Sequence, residues 1–136
     1  MLTFWKVKTL EGMENNYHSF EDLLIWQEGM DICYQIYDQL SNCRDFGLKD
    51  QMQRSSVSIP SNIAEGFELS SNRAFIRHLY IAKGSAGELR TQLYIAIRQQ
   101  YISNESGALL VQQTKKIGGM IQNFIMARKA RNLRKR

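Results

Sequence analysis

Apolar residues recur at helical spacing along most of the chain, and no segment shows sustained alternation of period two. Leu23, Trp26, Met30, Cys33, Tyr37 and Leu40 are spaced 3-4-3-4-3, which predicts a first helix over about 20–40. The turn-forming stretch from Ser41 to Gly47 breaks that pattern. Leu48, Met52, Ser55, Ile59 and Ile63 then share one face of a second helix over about 48–66. Pro60 lies inside it, where proline ordinarily costs about 3 kcal/mol and kinks the helix. Ser70, Ser71 and Asn72 offer N-caps for a third helix over about 72–100. Its seam, Phe75, Leu79, Ala82, Ala86, Leu89, Leu93 and Ala96, is the most regular in the sequence. Ser103, Asn104 and Glu105 restart a fourth helix over about 105–130, with Leu110, Ile117, Met120, Ile121 and Phe124 apolar. Gly118 and Gly119 weaken its middle by about 1 kcal/mol each relative to alanine. Four amphipathic helices joined by short turns predict an all-α fold, an antiparallel up-down four-helix bundle.

A chain of 136 residues suits one domain. Residues 1–12 do not join the helical pattern, and Met13 is a plausible alternative start. The expected organisation is an N-terminal extension over 1–12, a bundle domain over 13–127 and a basic tail over 128–136. Two helices carry more apolar surface than one seam needs. On the first, Ile25, Gly29, Ile32 and Ile36 form a second line; on the third, Ile76, Tyr80, Gly84, Gly87, Tyr94 and Tyr101 do so. These lines read either as a wide core stripe or as a surface for self-association. Gly84 and Gly87 favour close approach of another backbone.

Charge changes this picture. There are 18 Lys and Arg against 13 Asp and Glu, a net +5, and the excess is concentrated at one end. Arg128, Lys129, Arg131, Arg134, Lys135 and Arg136 put six positive charges into the last nine residues; the rest of the chain has a net charge near −1. Glu21, Glu28, Asp31 and Asp38 share a face of the first helix. Arg73, Arg77, Lys83, Arg90 and Arg98 fall within an arc of about 140° on the third, opposite its core seam. Tyr80, Tyr94 and Tyr101 interleave with these bases, and Lys115 and Lys116 add two more on the fourth helix. Bases alternating with aromatics can contact phosphates and stack nucleobases. The same face can meet an acidic helix of a neighbouring subunit or stay solvated. The tail suits nucleic acid, an anionic membrane surface or an acidic protein, or serves as a solubilising terminus.

Other chemistries find little footing. Cys33 falls on the apolar seam and reads as a core residue, and Cys43 reads as a free thiol in a polar turn. No CxxC, HExxH, ExxH or HxH occurs, and His18 and His78 stand apart, so neither a metal nor another cofactor is expected. The stretch from Lys83 to Gly87 resembles a phosphate loop, but GxxxxGK[ST] is absent. Ser55, Ser58 and Ser85 lack a His or Lys at an activating spacing, and Glu65 with Glu88 is a carboxylate pair of a kind common on helices. An enzyme is not expected. No apolar run reaches the roughly 18–20 residues of a membrane span and no signal-peptide layout is present, so a cytoplasmic, non-membrane protein is expected.

Three segments together carry a family resemblance: Phe20 to Gln27, then Leu48 to Gly66 with SIPSNIAEG, then Leu79 to Ala96 with IAKGSAGEL. The chain resembles the bacterial four-helix bundle proteins named for intervening sequences of 23S ribosomal RNA genes. The likeness covers about residues 18–102. It implies a bundle that assembles as a homopentamer, accommodates Pro60 within a helix and has no catalytic residue. Accessory proteins of diversity-generating retroelements are similar in shape and imply basic pentamers that bind nucleic acid. Asn62, Glu65, Gly66, Gly84, Ser85 and Glu88 match the family motifs and are expected at helix packing and subunit contacts. The leading expectation is a non-catalytic oligomer that binds RNA or DNA non-specifically. The alternative is a scaffold for an unknown protein partner with no nucleic-acid role.

Overall fold

The computed structural model describes residues 17–134, with the side chain of Arg134 outside that description. The expected extension over 1–12 lies outside the described residues, as do Lys135 and Arg136. Phe20–Asp22 forms a 3-10 turn, followed by α1 (Leu24–Gln39), α2 (Phe46–Glu68), α3 (Asn72–Arg98) and α4 (Asn104–Arg134). Each helix packs against the next and α1 also meets α4, so the four close around one core. No strand occurs among the described residues.

Local chemistry sets the boundaries. The Asp22 carboxylate accepts from the backbone N–H groups of His18 and Ser19, and Leu23 is extended, so the chain turns there before α1 begins. The Asp45 side chain accepts from Leu48 N at 3.1 Å and starts α2 two residues earlier than its apolar pattern suggests. The same carboxylate accepts from the Tyr101 hydroxyl at 3.1 Å, tying the α3–α4 loop to the start of α2. That bond holds the Tyr101 phenol above its ordinary pKa. Ser71 caps α3 and Ser103 caps α4 through their hydroxyls. Ser70 and Gln100 adopt positive φ just past α2 and α3. At Gln100 the bonds Gln100 N to Ile97 O and Tyr101 N to Ala96 O complete a Schellman motif.

Every residue of the α3 seam from Phe75 to Ala96 is buried. Leu23, Ile32, Ile36, Met52, Ile59, Ile63, Leu110, Ile117, Ile121 and Ile125 are among the residues that pack with it in the core. Pro60 is buried within α2, which continues as α-helix to Glu68. An added methyl at Gly29 would stand 3.2 Å from Ile59 Cγ2 and 3.5 Å from both Pro60 Cδ and Ile117 Cδ1. Glycine there lets α1 settle where α2 and α4 converge.

That packing corrects one expectation. Ile25, Gly29, Ile32 and Ile36 face the bundle's own core and are not a second, outward line. Tyr37, expected in the seam, is 44% exposed. Helix α1 contacts α2 and α4 together, so its apolar stripe is broad rather than doubled. Cys43 is a free thiol in the turn after α1, as expected, and its side chain is buried there. Cys33 is buried as expected, and burial pushes its thiol pKa up against the opposing influence of the Ser56 hydroxyl.

Candidate functional site

The site is built where α3 crosses α4. Gly87 on α3 and Gly118 and Gly119 on α4 leave open space: a methyl added to any of them would meet nothing within 4 Å. The result is a groove of about 340 Å³ whose sides carry Lys83, Arg90 and Lys115. Lys83 Nζ donates to Gln122 Oε1 at 2.6 Å across the helix pair. Further along, Lys129 Nζ donates to the Tyr80 hydroxyl at 2.6 Å and stands 5.0 Å from that ring's centroid. Tyr80 and Tyr94 are 42% and 53% exposed. Fourteen residues separate them, about 21 Å along one line of α3. Cations thus stand beside a glycine-rich floor, and the exposed rings of Tyr80 and Tyr94 lie seven residues either side of Gly87 on α3.

The structure brings some of the expected basic residues together and leaves others apart. Lys83, Arg90 and Lys115 meet at the groove, and Lys129 joins them through Tyr80. Arg73, Arg77, Arg98 and Lys116 are exposed and outside it. Arg128 and Arg131 line a separate cavity near the start of α1. Arg134 lies on α4, while Lys135 and Arg136 fall outside the described residues. Helix α4 runs through residues 128–134, so the basic segment continues the bundle there rather than starting a separate tail. Arg128 lies over Phe75 and Phe124, and the Asn72 amide donates to Arg128 O and Asn132 Oδ1. Of the expected contact residues on α3, Tyr80, Gly84 and Tyr94 are exposed, while Ile76 and Gly87 are half-buried. Gly118 and Gly119, read from sequence only as helix-weakening, form part of the floor; their pairing with Gly87 was the missed signal.

Of the family-motif residues, Asn62, Glu65 and Ser85 form a polar seam between α2 and α3 together with Ser58 and His78. Ser58 Oγ and Ser85 Oγ are 2.8 Å apart, and Asn62 Nδ2 donates to Ser58 O and Oγ at 2.9 and 3.0 Å. With its amide so oriented, Asn62 Oδ1 accepts from His78 Nδ1 at 3.0 Å, which assigns the proton to Nδ1. Glu65 Oε2 lies 3.9 Å from the same nitrogen. Deeper in the bundle, Ser55 Oγ donates to Gln92 Oε1 at 2.6 Å, and Gln92 Nε2 donates to Glu88 Oε1 at 3.3 Å. Glu65 and Glu88 thus have different partners. Removing the donor by Ser55→Ala leaves a buried amide oxygen unpaired and is expected to cost about 1–2 kcal/mol in urea denaturation with an unchanged m-value. A cost below about 0.3 kcal/mol would contradict the bond's assigned weight.

Fold and site define an all-helical bundle with a cationic inter-helix groove. The sequence model of the 23S rRNA-intervening sequence protein family matches residues 21–123, and the chain belongs to that family. A crystal structure of a protein of unknown function from the S23 ribosomal protein family of Bacteroides thetaiotaomicron is similar, at 26% identity and a TM-score of 0.70. The alignment covers 75% of this chain and 98% of that one. No curated protein matches the chain. Among the described residues, no three His, Cys, Asp or Glu side chains gather in a metal-binding group, and no helix is long and apolar enough to cross a membrane.

Proposed function

We propose that this protein is a non-catalytic, cytoplasmic oligomer that binds RNA or DNA non-specifically. The observation that carries the reading is the α3–α4 groove: three cations stand around a glycine floor that lets a phosphodiester backbone come close. Tyr80 and Tyr94 add exposed rings for stacking. Lys116, Lys129, Arg73, Arg77 and Arg98 extend the positive field without selecting a sequence.

The test is fluorescence anisotropy of a single-stranded oligonucleotide across a salt series. The full chain is expected to bind with a negative slope of log K against log salt. The triple variant Lys83→Ala, Arg90→Ala, Lys115→Ala is expected to flatten that slope by about 2, from three lost contacts at about 0.7 each. A slope unchanged by the three substitutions would remove the groove from the interface.

The second reading, a scaffold that contacts protein, is favoured by Ile81 and Ile95, each more than 40% exposed on α3 and of no use to a polyanion. The same apolar positions support self-assembly, and the family resemblance sets the proposed assembly as a homopentamer. Light scattering of the full chain tests it: a mass five times that of the monomer is expected, and a monomeric mass at all concentrations refutes it.

A further inference from the structure

Between the start of α1 and the last turns of α4 lies a second cavity, of about 560 Å³, within the range of small-molecule sites. Leu24, Ile25, Met120 and Phe124 supply apolar walls, and Arg128 and Arg131 supply two guanidinium groups. Leu24 is 52% exposed although it stands at the head of a helix whose other large aliphatic side chains are buried. The Arg128 guanidinium carbon lies 4.9 Å from the Phe75 ring centroid and 5.4 Å from that of Phe124, so the two rings hold the cation in place. Burial lowers the Arg128 pKa, and the like charge of Arg131 lowers it further against an opposing contribution from Tyr17. Neither guanidinium joins an ion pair among the described residues.

Two neighbouring cations that pair with no carboxylate among the described residues, one of them half-buried, call for an anion; the adjoining walls call for an apolar body. We propose that this cavity binds a small amphipathic carboxylate, its aryl or acyl body against Leu24, Met120 and Phe124 and its carboxylate at Arg128 and Arg131. A cation is repelled there, and a neutral hydrocarbon leaves both guanidiniums uncompensated. A nucleic-acid strand gains little from the aliphatic wall. A carboxylate that pairs with and hydrogen-bonds Arg128 offsets the desolvation of its guanidinium. This site shares neither helix face nor lining residue with the α3–α4 groove, so the two proposals succeed or fail separately.

The experiment titrates 4-phenylbutyrate into the full chain and follows the methyl resonances of Leu24, Ile25 and Met120 by NMR. Saturable shifts confined to these methyls are expected, with 4-phenylbutanol, the neutral analogue, at least about tenfold weaker, the loss of one charge-assisted contact. Arg128→Gln risks the fold through its ring contacts, so the exposed positions carry the test. Arg131→Gln is expected to weaken phenylbutyrate about tenfold, and Leu24→Glu to abolish its binding. Equal affinity for the alcohol overturns the proposal, as does binding indifferent to both substitutions. So does an oligonucleotide that shifts these methyls when phenylbutyrate does not.

Discussion

Gly66→Ala is expected to lower the stability of the bundle by about 2–3 kcal/mol, an overpacking cost. In a domain of this size that is a drop of about 10 °C in melting temperature. The added Cβ would stand 2.7 Å from His78 Cβ, 3.1 Å from Phe75 Cδ1 and 3.3 Å from Phe75 Cα. His78 Cβ and Phe75 Cα are not the free ends of flexible side chains, so relief requires α2 and α3 to move apart. Movement there also strains the His78 Nδ1 to Asn62 Oδ1 bond at 3.0 Å and the edge contact of Phe67 with Phe75, centroids 5.9 Å apart. Gly47→Ala is the matched control, since its Cβ would meet only Asp45 Oδ1 at 3.7 Å. Thermal and urea unfolding of both variants check the contrast. Equal stability of Gly66→Ala and wild type would mean that the α2–α3 gap holds slack that the geometry denies.

How far such contacts can be read from sequence differs between helices. The α3 seam is legible because α3 packs against both α2 and α4 through one regular line, and every residue of that line is buried. On α1 the regular 3-4 spacing favours Tyr37 over Ile36, yet Ile36 is fully buried and Tyr37 is exposed. Periodicity locates an apolar arc but not its centre where further apolar residues flank the seam, as Ile25, Ile32 and Ile36 do on α1. Helix ends escaped for a different reason. Ser70 and Gln100 take the left-handed conformation where glycine would have marked the stop. Composition leaves the six terminal charges open between a polyanion contact, an acidic partner and a solvated terminus. It gives no hint that Arg128 lies over Phe75 and Phe124, which only the fold brings to it. The groove was the least legible of all, because Gly87 meets Gly118 and Gly119 only once the register of α3 on α4 is known.

That register gives the last prediction its opposing signs. Alanine at Gly87, Gly118 and Gly119 together is expected to stabilise the bundle by about 2 kcal/mol while weakening oligonucleotide binding about tenfold. The gain follows because glycine in a helix interior is less favourable than alanine and none of the three new methyls would meet an atom within 4 Å. The loss follows because those methyls occupy the floor of a groove of about 340 Å³ and hold a phosphodiester backbone away from Lys83, Arg90 and Lys115. Gly84→Ala separates the two effects. Gly84 is exposed and equally open but does not line the groove, so its substitution is expected to stabilise and to leave binding unchanged. Urea midpoints and anisotropy at one fixed salt concentration read both quantities on the same proteins. Binding unchanged in the triple variant would exclude the floor as a contact. Stability gained with affinity lost identifies the helix-weakening glycines as residues kept for what approaches them, because a bundle that needed only to fold would be better served by alanine at all three positions.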